Sequence, residues 1–147
     1  MASTQPVRST PTHSVSVAGV VIDGDGRALA TQRRDNGRWE LPGGVLELGE
    51  TITDGVVREV FEETGLTVEP ETVTGVYKNM KANVVAIVFR CKVTDGKLRT
   101  SDETQAFEWL TRDEISSRMS EAYAVRMLDA FEATGPHVRS HDGVSLL

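Results

Sequence analysis

One stretch constrains the chain more than any other: Gly43-Gly44-Val45-Leu46-Glu47-Leu48-Gly49-Glu50, then a run ending Arg58-Glu59-Val60-Phe61-Glu62-Glu63-Thr64-Gly65-Leu66. Pro42-Gly43-Gly44 is a turn signal at which backbone can come close to a ligand. Glu50-Thr51 opens a helical segment with acidic charge where the helix dipole favours it. The helix is predicted over residues 52–64, ending at Gly65, which tolerates the left-handed conformation. At about 100° per residue, Glu59, Glu62 and Glu63 share one arc, while Val56, Val57, Val60 and Phe61 take the other side. Gly55, one turn before Glu59, leaves open space on the acidic face. Three carboxylates within one turn repel each other, and Arg58 supplies a single cation. Two readings fit that pattern: a solvated acidic face, or a site for hard divalent cations with oxygen ligands.

Composition narrows the classes. With 147 residues, the chain suits one domain with a real core. Its 39% hydrophobic and 26% charged residues fit a soluble globular protein. A formal net charge of −6 argues against gripping long nucleic acid through its phosphates. It leaves room for a small phosphorylated substrate, because bound metal ions reverse the local field. The single cysteine, Cys91, excludes an internal disulfide and lies in an apolar alternating run, as a core residue would. There is no apolar run of about 18 residues and no secretory h-region. A cytoplasmic protein without membrane contact is therefore expected.

Along the chain, residues 1–14 are rich in Ser, Thr and Pro and are expected to be a flexible tail. Residues 15–135 read as the domain and 136–147 as a second tail. Strands are predicted at 15–22, 27–34, 67–76 (broken once at Glu69-Pro70-Glu71), 84–93 and 104–110. Asp23-Gly24-Asp25-Gly26 reads as a tight hairpin, 77–83 as a polar hairpin loop and Thr94-Asp95-Gly96-Lys97 as a turn. Thr111-Arg112-Asp113-Glu114 is a capping box before a short helix. Residues 121–133 form an amphipathic helix stopped by Gly135-Pro136. This order suggests an α/β fold with a mixed sheet between helical layers.

Gly44, Glu50, Arg58, Glu59, Val60, Glu62, Glu63, Gly65 and Leu66 fill every fixed position of the Nudix box, G-x5-E-x7-R-E-U-x-E-E-x-G-U with U aliphatic. Trp39-Glu40-Leu41-Pro42-Gly43 also resembles the usual approach to that box. The resemblance implies an α/β/α sandwich with a mixed, mostly antiparallel sheet. It implies a hydrolase that cleaves a diphosphate linkage in a nucleotide using Mg²⁺ or Mn²⁺. The substrate would be a nucleoside triphosphate or a nucleoside diphosphate linked to another group. By position in the box, Glu59, Glu62 and Glu63 would bind metal. The Gly43 carbonyl would add a ligand, as in some relatives. Arg58 would orient a glutamate, Glu50 would fix the glycine loop and Glu47 would stand behind the site. Glu103, on the loop before Trp109, resembles a late metal ligand or general base, with Asp102 the lesser candidate. Many relatives pair as homodimers.

Substrate contacts are less legible. Arg33, Arg34 and Arg38 gather near the glycine loop and could meet a phosphate. Trp39 could stack on a base or simply pack. Tyr77, Lys78, Asn79 and Lys81 could line a pocket from the hairpin loop, and His137, Arg139 and His141 only if the tail folds back. The ADP-ribose subgroup's proline shortly beyond the box has no counterpart, since Lys81 and Ala82 stand there. The tyrosine of dinucleoside polyphosphate hydrolases is not matched by Tyr77. Elimination therefore favours small triphosphates. The competing classes are a nucleotide-binding regulatory module with little or no turnover, against which the complete glutamate set speaks, and a diphosphate isomerase, which needs a pocket cysteine.

Overall fold

The computed structural model describes residues 9–147. The tail expected over residues 1–14 lies outside the described residues for 1–8, and Ser14 already begins a strand. The elements run β1 (Ser14–Val21), β2 (Ala28–Arg33), β3 (Trp39–Glu40), β4 (Gly43–Val45), α1 (Ile52–Thr64), β5 (Leu66–Asn79), β6 (Val84–Gly96), β7 (Thr104–Leu110), α2 (Arg112–Arg118), α3 (Glu121–Asp129) and β8 (His137–His141). A five-stranded sheet has the order β4-β1-β6-β5-β8, and a three-stranded sheet the order β3-β2-β7. β1–β6 and β5–β8 pair in parallel, and the remaining strand pairs are antiparallel.

Strand alternation splits the core into two layers. On β1, Val17 and Val21 join Val56 and Val60 of α1. Ala18 and Val20 point the other way, toward Ile115 of α2 and Ala124 and Met127 of α3. β6 repeats the division, with Phe89 and Cys91 on the α1 side and Ala86 and Val88 on the other. The result is the expected α/β/α sandwich. Val56 and Val60 are fully buried, and burying each contributes about 2 kcal/mol.

Helix α1 has its predicted limits. Thr51 accepts a hydrogen bond from the Asp54 N–H at 3.1 Å, and Gly65 closes the helix at φ 82°. Phe61 departs from expectation: it is 42% exposed, with the Arg99 guanidinium 4.8 Å from its ring centre. The capping box at Thr111 and Glu114 is formed in both directions.

Several expectations are corrected. The Asp23 turn forms, its Oδ1 accepting from the N–H groups of Asp25 and Arg27 at 2.9 Å each. Beyond one bridge, Ile22 to Ala28, its two strands diverge into different sheets rather than forming a hairpin. β5 absorbs the break at Pro70 as a register shift between Pro70 and Thr72, because proline has no N–H to give the ladder. Tyr77, Lys78 and Asn79 belong to β5, not to a hairpin loop, and Tyr77 is fully buried. Thr94-Asp95-Gly96 continues β6 instead of turning. The C-terminal tail is also structured: β8 pairs with β5 from Gly75–His137 to Asn79–His141. Its physical reason is the otherwise open edge of β5, together with Asp129, which holds Arg139 by two hydrogen bonds of 2.8 Å.

Candidate active site

The acidic face of α1 meets β4. Gly43 and Gly44 are strand residues beside β1 rather than the tip of a turn. A Cβ at Gly43 would lie 2.6 Å from the Ala18 Cβ, and one at Gly44 would lie 2.5 Å from a Glu59 carboxylate oxygen. The glycines thus bring helix and strand together and leave the Glu59 carboxylate its space. The space expected at Gly55 is not open: a Cβ there would meet Leu46 at 2.7 Å and Glu50 at 3.0 Å.

Arg58 organises this face. Its Nε and Nη2 donate to the two Glu50 oxygens at 2.9 and 2.6 Å, and Nη2 also reaches the Val45 carbonyl at 3.1 Å. Nη1 donates to Glu59 at 2.8 Å and Glu62 at 3.3 Å. The Glu50–Arg58 fork therefore ties the glycine loop to the helix, and Arg58's hydrogen bonds hold the Glu50 carboxyl down at about 2. Glu47, 65% exposed, stands 3.6 Å from Arg58 and does not border the cavity.

A cavity of about 410 Å³ opens over this face, lined by Gly43, Gly44, Glu59, Glu62, Glu63 and Glu103 together with Asp35 and Asp102. Chain-distant Glu103 is thus brought to the helix carboxylates. Its main chain is held in place by the Arg34 N–H on its carbonyl at 2.8 Å. Burial and the charges of Glu40, Glu59 and Glu103 push the Glu63 carboxyl up to about 8, against one hydrogen bond from the Gly43 N–H at 3.3 Å. Burial also raises Glu59, with Arg58 opposing. Carboxylates held this close carry excess negative charge, and an all-oxygen donor set of this kind fits a hard divalent cation. Among the described residues, no three such side chains already converge as one ligating cluster. Arg58 holds an oxygen of Glu59 and one of Glu62 in its own hydrogen bonds.

A second, larger cavity of about 690 Å³ adjoins the first through Arg33, which lines both. Arg38 and Trp39 line it, the Trp39 ring lying 5.6 Å from the Arg118 guanidinium. Arg33 is itself engaged, donating to Asp35 at 2.9 and 2.6 Å and to Glu40 at 3.3 Å. Tyr77 and Lys78 border neither cavity. The Tyr77 hydroxyl donates to Asp129 at 2.8 Å inside the core.

Sequence reasoning missed Asp35, Glu40, Arg118, Tyr123, Gly143 and Val144, all of which line one or other cavity. Glu40 alone carried a local signal, since it alternates with Trp39 on the approach to the glycines. The others come from separate segments that only the fold brings together.

The NUDIX domain model matches residues 12–131. A MutT-like protein of Streptomyces ambofaciens is 60% identical over 147 residues, covering 100% of this chain and 96% of the relative. An ADP-ribose pyrophosphatase of Methanocaldococcus jannaschii is 37% identical over 103 residues, covering 65% of this chain and 60% of that protein. The crystal structure of a UDP-X diphosphatase has a TM-score of 0.77, covering 91% of this chain and 70% of that one at 19% identity, a likeness of fold. With the box geometry in place and the domain match spanning most of its length, the chain belongs to the Nudix hydrolase family.

Proposed function

We propose that this Nudix pyrophosphohydrolase uses Mg²⁺ to cleave a diphosphate linkage in a nucleotide, either a nucleoside triphosphate or a nucleoside diphosphate linked to another group. The observation that carries this reading is the carboxylate-walled cavity beside a larger chamber, with Arg33 lining both. One cavity suits a diphosphate with its counter-ions, and the other suits the rest of a nucleotide. Glu59, Glu62 and Glu63, with the Gly43 carbonyl, would hold the metal, and Glu103 would add a ligand or serve as general base. A bound divalent ion supplies charge neutralisation on the diphosphate and a more acidic water. The chain's own part is positioning. Arg58 fixes Glu59 and Glu62 in orientation, Glu50 fixes Arg58, and β4 holds the Gly43 main chain against α1.

The test is a phosphate- and pyrophosphate-release screen with Mg²⁺ over nucleoside triphosphates, ADP-ribose, nucleotide sugars and dinucleoside polyphosphates, with Glu63→Gln as control. The expected outcome is one preferred class of nucleotide whose hydrolysis is abolished in the control and by EDTA. Tight binding of a nucleotide with no hydrolysis of any would overturn the reading in favour of a binding module.

A further inference from the structure

The larger cavity is lined in part by residues that lie beyond the span of the family match, which ends at 131. After β8, the chain turns at Asp142, whose Oδ1 accepts from the N–H groups of Val144 and Ser145 at 2.9 Å each. It returns through a bridge between His141 and Leu146. His141, fully buried, accepts the Gly143 N–H on Nδ1 at 2.9 Å and faces Arg126 through Nε2 at 3.0 Å. This turn clasps the start of α3. Ser120, the residue before that helix, makes no side-chain cap. The Val144 carbonyl instead accepts the Ala122 N–H at 2.9 Å, and Glu121 accepts the Leu146 N–H at 2.7 Å.

The clasped end of α3 is the part that faces the cavity, through Ser120 and Tyr123. Tyr123 is fixed from behind, with Arg126 4.8 Å from its ring centre and the His141 ring 5.9 Å away. The chamber therefore has aromatic rings from two separate elements, Trp39 on β3 and Tyr123 on α3, and a lining contributed by Gly143 and Val144. Asn36 and Glu40 supply hydrogen-bonding groups to the same space. Two aromatic side chains with a few polar groups in one chamber suit a planar heteroaromatic ring.

We propose that residues 142–147 are the specificity element of this enzyme, closing the larger cavity around the base of the nucleotide through Gly143 and Val144 while holding Tyr123 in place. This rests on the nucleotide hydrolase reading above. The turn decides which base fits; the carboxylates around α1 decide whether the diphosphate is cut.

Val144 is 62% exposed, so a larger side chain there can be tried without disturbing the core. Binding of AMP, GMP, CMP, UMP and ribose 5-phosphate in Mg²⁺ is measured by calorimetry on the full chain, on Val144→Trp and on a chain lacking residues 142–147. The full chain is expected to bind its best nucleoside monophosphate at least about tenfold more tightly than ribose 5-phosphate. Val144→Trp is expected to erase that preference while leaving ribose 5-phosphate binding and the thermal unfolding midpoint in place. The deletion, if it folds, is expected to flatten discrimination among the four bases. Unchanged base preference in Val144→Trp would overturn the proposal, as would a full chain that binds ribose 5-phosphate as well as any nucleotide. Neither result would touch the hydrolase reading, which stands or falls on the release screen with Glu63→Gln.

Discussion

The two cavities differ in how they are made. The smaller one is largely the product of a contiguous stretch: α1 supplies Glu59, Glu62 and Glu63, and β4 supplies Gly43 and Gly44. The larger one is assembled from three separate segments, the stretch from Arg33 through β3, the α2–α3 corner and the C-terminal turn. The first is charged and held by one arginine; the second mixes aromatic, polar and main-chain groups. Chemistry that needs several carboxylates at fixed spacing is encoded locally on a helix. Recognition of a variable group is built from segments that can change one at a time.

The sharpest way to break this division is Glu63→Gln, which replaces an ionisable carboxyl in the smaller cavity by a neutral amide that cannot become a carboxylate ligand, at nearly constant volume. Turnover is expected to fall at least about a hundredfold, with the circular dichroism spectrum unchanged. Near-normal turnover would remove Glu63 from the site. Arg58→Lys comes next. A lysine cannot reproduce the fork to Glu50 while also reaching Glu59 and Glu62, so kcat should drop roughly tenfold with little change in nucleotide KM. A rise confined to KM would place Arg58 against the substrate instead.

Tyr77→Phe sharpens the comparison from the other direction. It removes a buried hydrogen bond to Asp129, and chemical denaturation should show a loss of about 1–2 kcal/mol with KM and kcat retained. A changed KM with unchanged stability would return Tyr77 to the substrate site.

The smallest effect concerns His141. Burial, then the neighbouring Arg126 charge, lowers its pKa below the ordinary 6.5, with Asp142 opposing. The folded protein therefore takes up a proton there only at lower pH than the unfolded chain, which does so near 6.5. Its contribution is fully present above that pH and is lost as pH falls from there toward the folded value. Unfolding midpoints recorded across that window should decline more steeply for the natural chain than for His141→Gln. Identical slopes would show that His141 does not titrate differently on folding.

How much was legible follows the same line. The limits of α1, the cap at Thr111 and the burial of Cys91 are local consequences of periodicity and capping chemistry, and the sequence displays them directly. The polarity of residues 77–83 misled, because Tyr77 hides its hydroxyl on Asp129, a partner distant in sequence. The C-terminal stretch misled for a related reason. His137, Arg139 and His141 look solvated until β5 offers an edge and Asp129 and Arg126 offer partners. Glu103 was legible only through the family resemblance, since its place opposite α1 is set by the strand that follows it.

Arg33 lines both cavities while pairing with Asp35, which borders the smaller, and Glu40, which borders the larger. Substitutions on the two sides of that guanidinium should therefore combine non-additively. A change tolerated at Glu40 in one background should fail in another where Asp35 has already been altered. The paths by which this enzyme can acquire a new substrate are thus ordered: the history of one cavity limits the next step in the other.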